Sequence, residues 1–200
     1  MSHSEHKDYA GAKLGMWLFL FTEILLFGGL FILYSVYLHR YPGEFSTGGH
    51  ELNVVYGATN TLVLLTSSLL VAMAVTAIQE GRRLLTLRLL GGTILCAATF
   101  MGIKYIEWSA KIHHGIYPGS AKLASGPLGE SVFFGLYYLS TGLHGLHVLI
   151  GGSVLTWIAV KVQRGVVNAD DFVLLENGAL YWHLVDLIWI FIFPLYYLML

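Results

Sequence analysis

The chain has 200 residues, of which 56% are hydrophobic and 12% are charged, and its formal net charge is −1. Soluble domains contain about 45–50% apolar and about 25% charged residues, so a soluble fold of this size would lack the charge to cover its surface. The balanced charge provides no basic surface for a nucleic acid, and the single cysteine, Cys96, excludes a disulfide framework and a thiolate metal cluster. With a mean hydropathy of +0.68, the composition predicts an integral membrane protein. We expect no cleavable signal peptide, because the first apolar run is too long for one.

Five apolar runs in the chain are long enough to cross a bilayer as helices. A hydrocarbon core of about 30 Å needs about 20 helical residues, and the segments between the runs carry the Gly, Pro and polar residues of turns. We predict one all-α membrane domain over residues 1–200, with a loop at residues 39–51 and a long ordered external loop at residues 107–130. The five predicted spans are residues 14–38, 54–78, 84–106, 131–160 and 173–200.

The distribution of lysine and arginine predicts the orientation of the chain, since cytoplasmic segments are enriched in these residues. With the N-terminus inside, seven basic residues fall on the inner side and four on the outer side. This bias favours a cytoplasmic N-terminus and an external C-terminus. The inner residues are Lys7, Lys13, Arg82, Arg83, Arg88, Lys161 and Arg164, and the outer ones are Arg40, Lys104, Lys111 and Lys122.

A few ionisable side chains lie well inside the predicted spans, where they are costly and usually functional or paired. Glu23 falls about nine residues into the first span, or about 13 Å from its inner end, and the histidines of spans four and five fall in the same half of the membrane. His144 and His147 are three residues apart, as are His183 and Asp186, so each pair shares a helix face. We expect all five side chains to lie at a similar depth.

Three interpretations of these side chains compete. Histidine is the commonest metal ligand, and two facing helices could hold a haem, but nothing in the sequence indicates the volume that a porphyrin needs. A proton or ion pathway would need more than one carboxylate and a histidine pair, and no matching pair of broken helices occurs. Hydrogen bonding between helices, which fixes their packing, is favoured by the local chemistry alone.

Small and aromatic residues predict how the helices pack and where they meet the bilayer surface. Glycines within the spans predict close approach of helix backbones, and aromatic residues near span ends predict interfacial anchors. The glycines are Gly28, Gly29, Gly91, Gly92, Gly142, Gly145, Gly151 and Gly152, and the aromatic residues are Trp17, Trp108, Trp157, Tyr196 and Tyr197.

Five sequence strings stand in a characteristic order along the chain. They are WLFLFTEILLFGGLF in span one, NTLVLLTSS in span two, KYIEW at the end of span three, TGLHGLHVLIG in span four and ENGALYWHLVDLIWIFIFPLYY in span five. In this order they resemble cytochrome c oxidase subunit III, of the haem–copper respiratory oxidase family, from about Leu14 onward. Many members have seven helices, and this chain is similar to the five-helix bacterial form, which lacks the first two.

The resemblance implies a non-catalytic subunit of a proton-pumping terminal oxidase, which reduces oxygen to water in the bacterial cytoplasmic membrane. The expected partners, subunits I and II, carry the haem and copper, so the resemblance implies no redox centre, metal ligand or catalytic residue in this chain. It implies that the chain binds phospholipid, stabilises subunit I during turnover and assists proton uptake, with Glu23 at the family's carbodiimide-reactive carboxylate. The residues that match family positions linked to these roles are Glu23, His144, His147, Glu107, Trp182, His183 and Asp186.

Two expectations concern contacts of these residues. At Lys104 the family pattern predicts an uncharged polar residue such as Gln, so we expect the outer end of span three to pack differently here. A carboxylate as deep as Glu23 needs a partner or must be neutral. We expect His144 or His147 on span four as that partner, in preference to His183.

The basic cluster at the second turn, formed by Arg82, Arg83 and Arg88, is predicted to contact anionic lipid headgroups at the inner membrane surface. Ordinary topological charge is the alternative explanation of the cluster. We also expect the chain to pack against a larger helical subunit over a mainly apolar face.

Two other functions remain open at this point. A subunit-III-like protein associated with nitric oxide reductases has the same five helices and part of the motifs. A free-standing b-type cytochrome or metal-binding membrane protein would instead use His144, His147 and His183 as ligands. Within the oxidases, retention of Glu23 favours the cytochrome c type over the quinol type.

Overall fold

The computed structural model describes residues 9–198, and within that range it contains only helices, turns and short connections. Five helices are long and apolar enough to cross a membrane, which confirms the predicted all-α membrane fold. Lys7 and the last two residues of the fifth predicted span lie outside the described residues. The elements are α1 (Tyr9–Arg40), α2 (Pro42–His50), α3 (Val54–Gln79), α4 (Arg83–His113), α5 (Ala121–Ala124), α6 (Leu128–Gln163) and α7 (Val173–Tyr197).

Four of the long helices form a bundle, and the fifth lies outside it. In the bundle α3 packs on α4 and α7, and α6 packs on the same two helices. α1 lies against α6 and α7, and none of its Cα atoms comes within 8 Å of one in α3 or α4. One flank of α7 is therefore left uncovered between α1 and α3.

The burial pattern along α1 and α7 explains their different positions. In α1 the buried residues Leu20, Phe27 and Tyr34 recur every seven residues, which is the stripe of a helix that packs along one line. In α7 large side chains are enclosed on several faces, and Trp182 and Trp189 are both 0% exposed. α7 therefore supplies much of the core, whereas α1 is attached to the surface of the bundle.

The prediction of an external loop at residues 107–130 is wrong for its first seven and last three residues, because α4 continues to His113 and α6 begins at Leu128. Lys104, Glu107 and Lys111 are buried, with 6%, 2% and 7% of their surfaces exposed. Their spacing of three and four residues places them on one helix face, which turns inward. Both lysines therefore belong to the bundle and not to the outer loop.

The predicted first loop is also partly helical, since it contains α2. Pro42 begins this helix, at a position where a missing N–H removes no intrahelical bond. Phe45 is 0% exposed and packs edge-on against Tyr34 and Phe133, with 5.3 Å between ring centroids in each pair. A Cβ at Gly48 would lie 2.5 Å from the Phe133 ring, so this glycine lets α2 lie directly on α6.

The predictions from glycines and aromatic residues are correct at some positions and wrong at others. A Cβ at Gly151 would lie 2.8 Å from the ring of Trp182, so this glycine does allow α6 to approach α7 closely. At Gly28 an added Cβ would have no atom of another described helix within 4 Å, so this glycine does not allow a close helix contact within residues 9–198. Tyr196 and Tyr197 are only 0% and 5% exposed, and they belong to the core instead of the membrane interface.

Candidate functional site

The central polar contact of the molecule joins α1 to α6. Oε2 of Glu23 lies 2.9 Å from Nε2 of His147, and these side chains are 13% and 10% exposed. Phe27, one helical turn along α1, lies edge-on against the same imidazole, with 5.4 Å between the ring centroids. The structure thus confirms that span four supplies the partner of Glu23.

The hydrogen bonds of His147 define where its protons lie. Nδ1 is 2.8 Å from the carbonyl oxygen of Leu143, and because a carbonyl can only accept, Nδ1 carries a hydrogen. The contact between Nε2 and Glu23 then requires one further proton, held either by the carboxylic acid or by the imidazolium. In both states the pair is neutral overall, which suits its position inside a membrane.

Polar contacts at three different heights hold α1 against the bundle. Near the start of the helix, Nζ of Lys13 lies 2.9 Å from Oε2 of Glu176 on α7. The carboxylate–imidazole contact follows in the middle, and towards the other end the hydroxyl of Tyr34 donates to the carbonyl oxygen of Leu195 at 2.6 Å. Because the apolar stripe of α1 is narrow, these contacts fix its register and rotation.

His144 lies one turn from His147 but has different surroundings. It is 0% exposed, and neither ring nitrogen has a hydrogen-bond partner within the described residues. Its ring packs against Phe100 and Trp189, with centroid distances of 5.4 and 5.2 Å. Of the two histidines that we expected as a partner of Glu23, the prediction is therefore wrong for His144 and correct for His147.

A second buried polar cluster joins α4, α6 and α7 near the other end of the bundle. Nζ of Lys104 donates to Oε2 of Glu107 and to the hydroxyl of Tyr197, both at 2.8 Å, and to Tyr137 at 3.3 Å. Tyr197 in turn donates to Oε1 of Glu107 at 2.7 Å. The ammonium also lies 5.0 Å from the ring centre of Trp189, within cation–π range. The charged residue at position 104 is thus fully accommodated by its neighbours.

His183 and Asp186 face α3, away from the contact on α1. Nδ1 of His183 lies 2.7 Å from the hydroxyl oxygen of Ser68, and Nε1 of Trp182 donates to the hydroxyl of Ser67 at 2.9 Å. Asp186 is 3% exposed, and its carboxylate oxygens have no hydrogen-bond partner in the described part of the chain. The sequence showed the two serines only as polar members of span two, so their contacts were not predicted.

Arg82, Arg83 and Arg88 lie together at the turn between α3 and α4. With two neighbouring leucines they line an open groove of about 400 Å³. Arg82 makes an exposed ion pair with Glu80 at 3.3 Å, and the side chains of Arg83 and Arg88 make no hydrogen bond or ion pair within residues 9–198. The guanidinium groups are therefore available to an anion from outside the chain.

The polar side chains inside the membrane spans serve mainly to join helices. Four spans use a histidine or carboxylate to contact another helix: Glu23 on α1, Glu107 on α4, His147 on α6 and His183 on α7. The contact between Glu23 and His147 also holds a shared proton. Within the described residues, no group of three or more His, Cys, Asp or Glu side chains is arranged to hold a metal ion.

Comparison with known proteins assigns the chain to a family. A family model described as cytochrome c oxidase subunit III matches residues 2–199. Similar proteins include heme-copper oxidase subunit I+III of Aeropyrum pernix, cytochrome bo(3) ubiquinol oxidase subunit 3 of Pseudomonas aeruginosa and cytochrome c oxidase subunit 3 of Thermostichus vulcanus, each 31% identical over 97–98% of this chain. The chain spans 24% of the length of the first protein, 88% of the second and 90% of the third. This chain belongs to the cytochrome c oxidase subunit III family.

Proposed function

We propose that this chain is the non-catalytic subunit III of a proton-pumping haem–copper terminal oxidase in a bacterial cytoplasmic membrane. Its partners are subunits I and II, which carry the haem and copper, and its N-terminus faces the cytoplasm. The family match over nearly the whole chain supports this proposal, as does the similar Aeropyrum pernix protein whose name joins subunits I and III. The presence of Glu23 favours the cytochrome c type.

The observation that carries the proposal is how the chain uses its buried histidines. His147 joins α1 to α6, His183 joins α7 to α3, and His144 packs between two aromatic rings. A histidine-ligated haem needs imidazoles that face an open space of porphyrin size, whereas aromatic side chains pack against the rings of His144 and His147 and Ser68 holds Nδ1 of His183. The geometry favours a subunit that holds helices together over a free-standing b-type cytochrome.

Within that function, the contact between Glu23 and His147 is an argument that the chain assists proton uptake. The pair holds one mobile proton between two groups, and the second carboxylate oxygen, Oε1, has no partner within the described residues and is not enclosed. Transfer of this proton between the two groups keeps the pair neutral, and the accessible Oε1 is the atom at which the pair takes up or releases a proton. The three arginines at the α3–α4 turn support binding of phospholipid headgroups at the cytoplasmic surface.

Affinity purification of the tagged chain from membranes in mild detergent tests this proposal. We expect a haem–copper catalytic subunit to purify with it, and haem absorbance to disappear when the chain is separated from that subunit. An untagged strain is the control for non-specific recovery. A separated chain that keeps a Soret band, lost on His183→Ala, would refute the proposal in favour of a cytochrome. Purification of the chain alone as an active, monodisperse protein would refute it as well.

A further inference from the structure

The uncovered flank of α7 forms an apolar surface between α1 and α3. Leu187, Ile190 and Phe191 are 46%, 41% and 55% exposed, although they belong to the helix that is otherwise most enclosed. Towards α1 the surface deepens into a groove of about 240 Å³, lined by Leu184, Leu187 and Phe191 on α7 and by residues of α1 that include Gly28. Because an added Cβ at Gly28 would meet no atom of the other described helices within 4 Å, the groove is open along the α1 wall.

A polar group interrupts this apolar surface at its α3 side. His183 lies one turn before Leu187 on α7 and is half-buried. Ser68 on α3 holds Nδ1 of the imidazole at 2.7 Å, which fixes the ring, while Nε2 makes no hydrogen bond within the described residues and is not enclosed. The outward edge of His183 is therefore a positioned but unused hydrogen-bonding group.

The depth of His183 limits what can satisfy this group. His183 is ten residues from the start of α7, or about 15 Å along the helix, which places it near the middle of the hydrocarbon. Lipid tails have no hydrogen-bonding atoms, and headgroups lie about 15 Å away at the bilayer surfaces. A polar group left unpaired there costs free energy, so a lipid that merely filled the groove would leave that cost in place.

We propose that the α7 flank around His183 is the surface on which a transmembrane helix of the catalytic subunit docks. That helix presents a hydrogen-bonding side chain to Nε2 of His183 and packs apolar side chains over Leu187, Ile190 and Phe191. Polar side chains that bond between helices are the usual way to specify such contacts in membranes. This inference rests on the proposed function, because it takes the docking helix from the oxidase's catalytic subunit.

Site-specific photo-crosslinking in the assembled complex tests the position of the interface. A benzophenone side chain replaces Leu187 in one variant and Leu95 in the control; Leu95 is 68% exposed on α4, at a similar height but on a different side of the bundle. We expect the probe at Leu187 to capture the catalytic subunit and the probe at Leu95 to capture only lipid. Capture from Leu95 but not from Leu187, or lipid alone from both, would overturn the inference.

Retention of the chain under increasing detergent tests the role of His183 itself. Loss of one interhelical hydrogen bond predicts that His183→Leu dissociates from the complex about fivefold more readily, with partial recovery in His183→Gln. Ser68→Ala, which releases the ring, is expected to act in the same direction, whereas Thr66→Ala, at an exposed residue bonded to its own helix, is expected to have no effect. Equal retention of all these variants would overturn the inference. If no haem–copper subunit purifies with the unmodified chain, the proposed function itself fails.

Discussion

Glu23 and Glu107 are both carboxylates within membrane helices, yet their surroundings differ in kind. Glu107 is 3% exposed at its side chain, and both of its oxygens accept hydrogen bonds, from Lys104 and from Tyr197. Glu23 is 13% exposed, and within residues 9–198 only one of its oxygens has a partner, His147. The first carboxylate is saturated by fixed donors, whereas the second shares a proton and keeps one oxygen free.

The difference indicates separate roles for the two carboxylates. Removing either partner of a buried carboxylate–ammonium pair is costly, because the charge that remains has no water to solvate it. A carboxylate paired to an imidazole can instead become neutral by taking the shared proton. We therefore expect Glu107 to act in assembly and Glu23 to act in proton exchange and durability.

The largest effect is expected from breaking the ion pair on α4. Glu107→Gln leaves the Lys104 ammonium without its anion and should destabilise the fold by about 3–5 kcal/mol. Lys104→Met combined with Glu107→Gln removes both charges and should recover most of that loss, since a neutral pair of similar volume needs no counter-charge. Thermal unfolding of the detergent-solubilised complex measures all three proteins. Equal destabilisation by the single and the double variant would show that the charges do not depend on each other.

A smaller effect is expected at Glu23. In Glu23→Gln the amide can still donate to Nε2 of His147, so the contact between α1 and α6 should lose no more than about 1.5 kcal/mol, while the exchangeable proton is lost. We expect initial oxygen reduction to remain nearly intact, with faster inactivation during turnover or modestly slower proton uptake. Oxygen-electrode traces over many turnovers, together with proton-uptake measurements, check this.

The matching control removes the contact but keeps the carboxyl group of Glu23. His147→Ala leaves Glu23 without its partner and should also loosen α1, whereas Glu23→Gln should not. Complete loss of oxygen reduction in a fully assembled Glu23→Gln complex would show a catalytic role and refute the assignment.

Chemical labelling sharpens the same comparison without mutating either residue. A hydrophobic carbodiimide needs a protonated carboxyl that it can reach, and Glu23 offers a free oxygen near the surface of the bundle. Glu107 is enclosed and ion-paired, so it should not react. Peptide mass spectrometry after mild treatment is expected to find the adduct on Glu23 and none on Glu107. Equal modification of both would contradict the burial and pairing that separate them.

Depth along a helix was predictable from the sequence, but rotation about the helix axis was not. Counting residues placed Glu23, His144 and His147 at one height, and the structure joins two of them. His144 and His147 are three residues apart, which turns them about 60° from each other around α6. That angle decides which imidazole faces α1 and which faces Phe100, and it depends on the packing of all the helices.

Contacts between residues far apart in the chain were also not predictable from the sequence. Lys104 looked like a departure from the family pattern, and Tyr197 looked like an interfacial anchor. Their contact becomes visible only when α4 and α7 are placed side by side, because 93 residues separate them. The spacing of Lys104, Glu107 and Lys111 was the one available signal, since three charges on one helix face indicate a continuing helix.

The smallest effect is expected at the arginine cluster, whose charges have no buried partner in the described part of the chain. Unlike Glu23 and Glu107, Arg83 and Arg88 are exposed and make no ion pair within the described residues. Attraction of a basic side chain to an anionic membrane surface is worth about 1 kcal/mol, so Arg82→Gln with Arg83→Gln should leave folding and activity unchanged. We expect this double variant to retain less phospholipid, because a guanidinium binds a phosphate through two hydrogen bonds and an amide cannot.

Lys161→Gln with Arg164→Gln removes the same charge at the other predicted cytoplasmic turn and serves as the control. Lipid mass spectrometry of the purified complexes that shows equal loss in both pairs would indicate topological charge alone, whereas loss confined to the first pair would indicate a headgroup site at the α3–α4 turn.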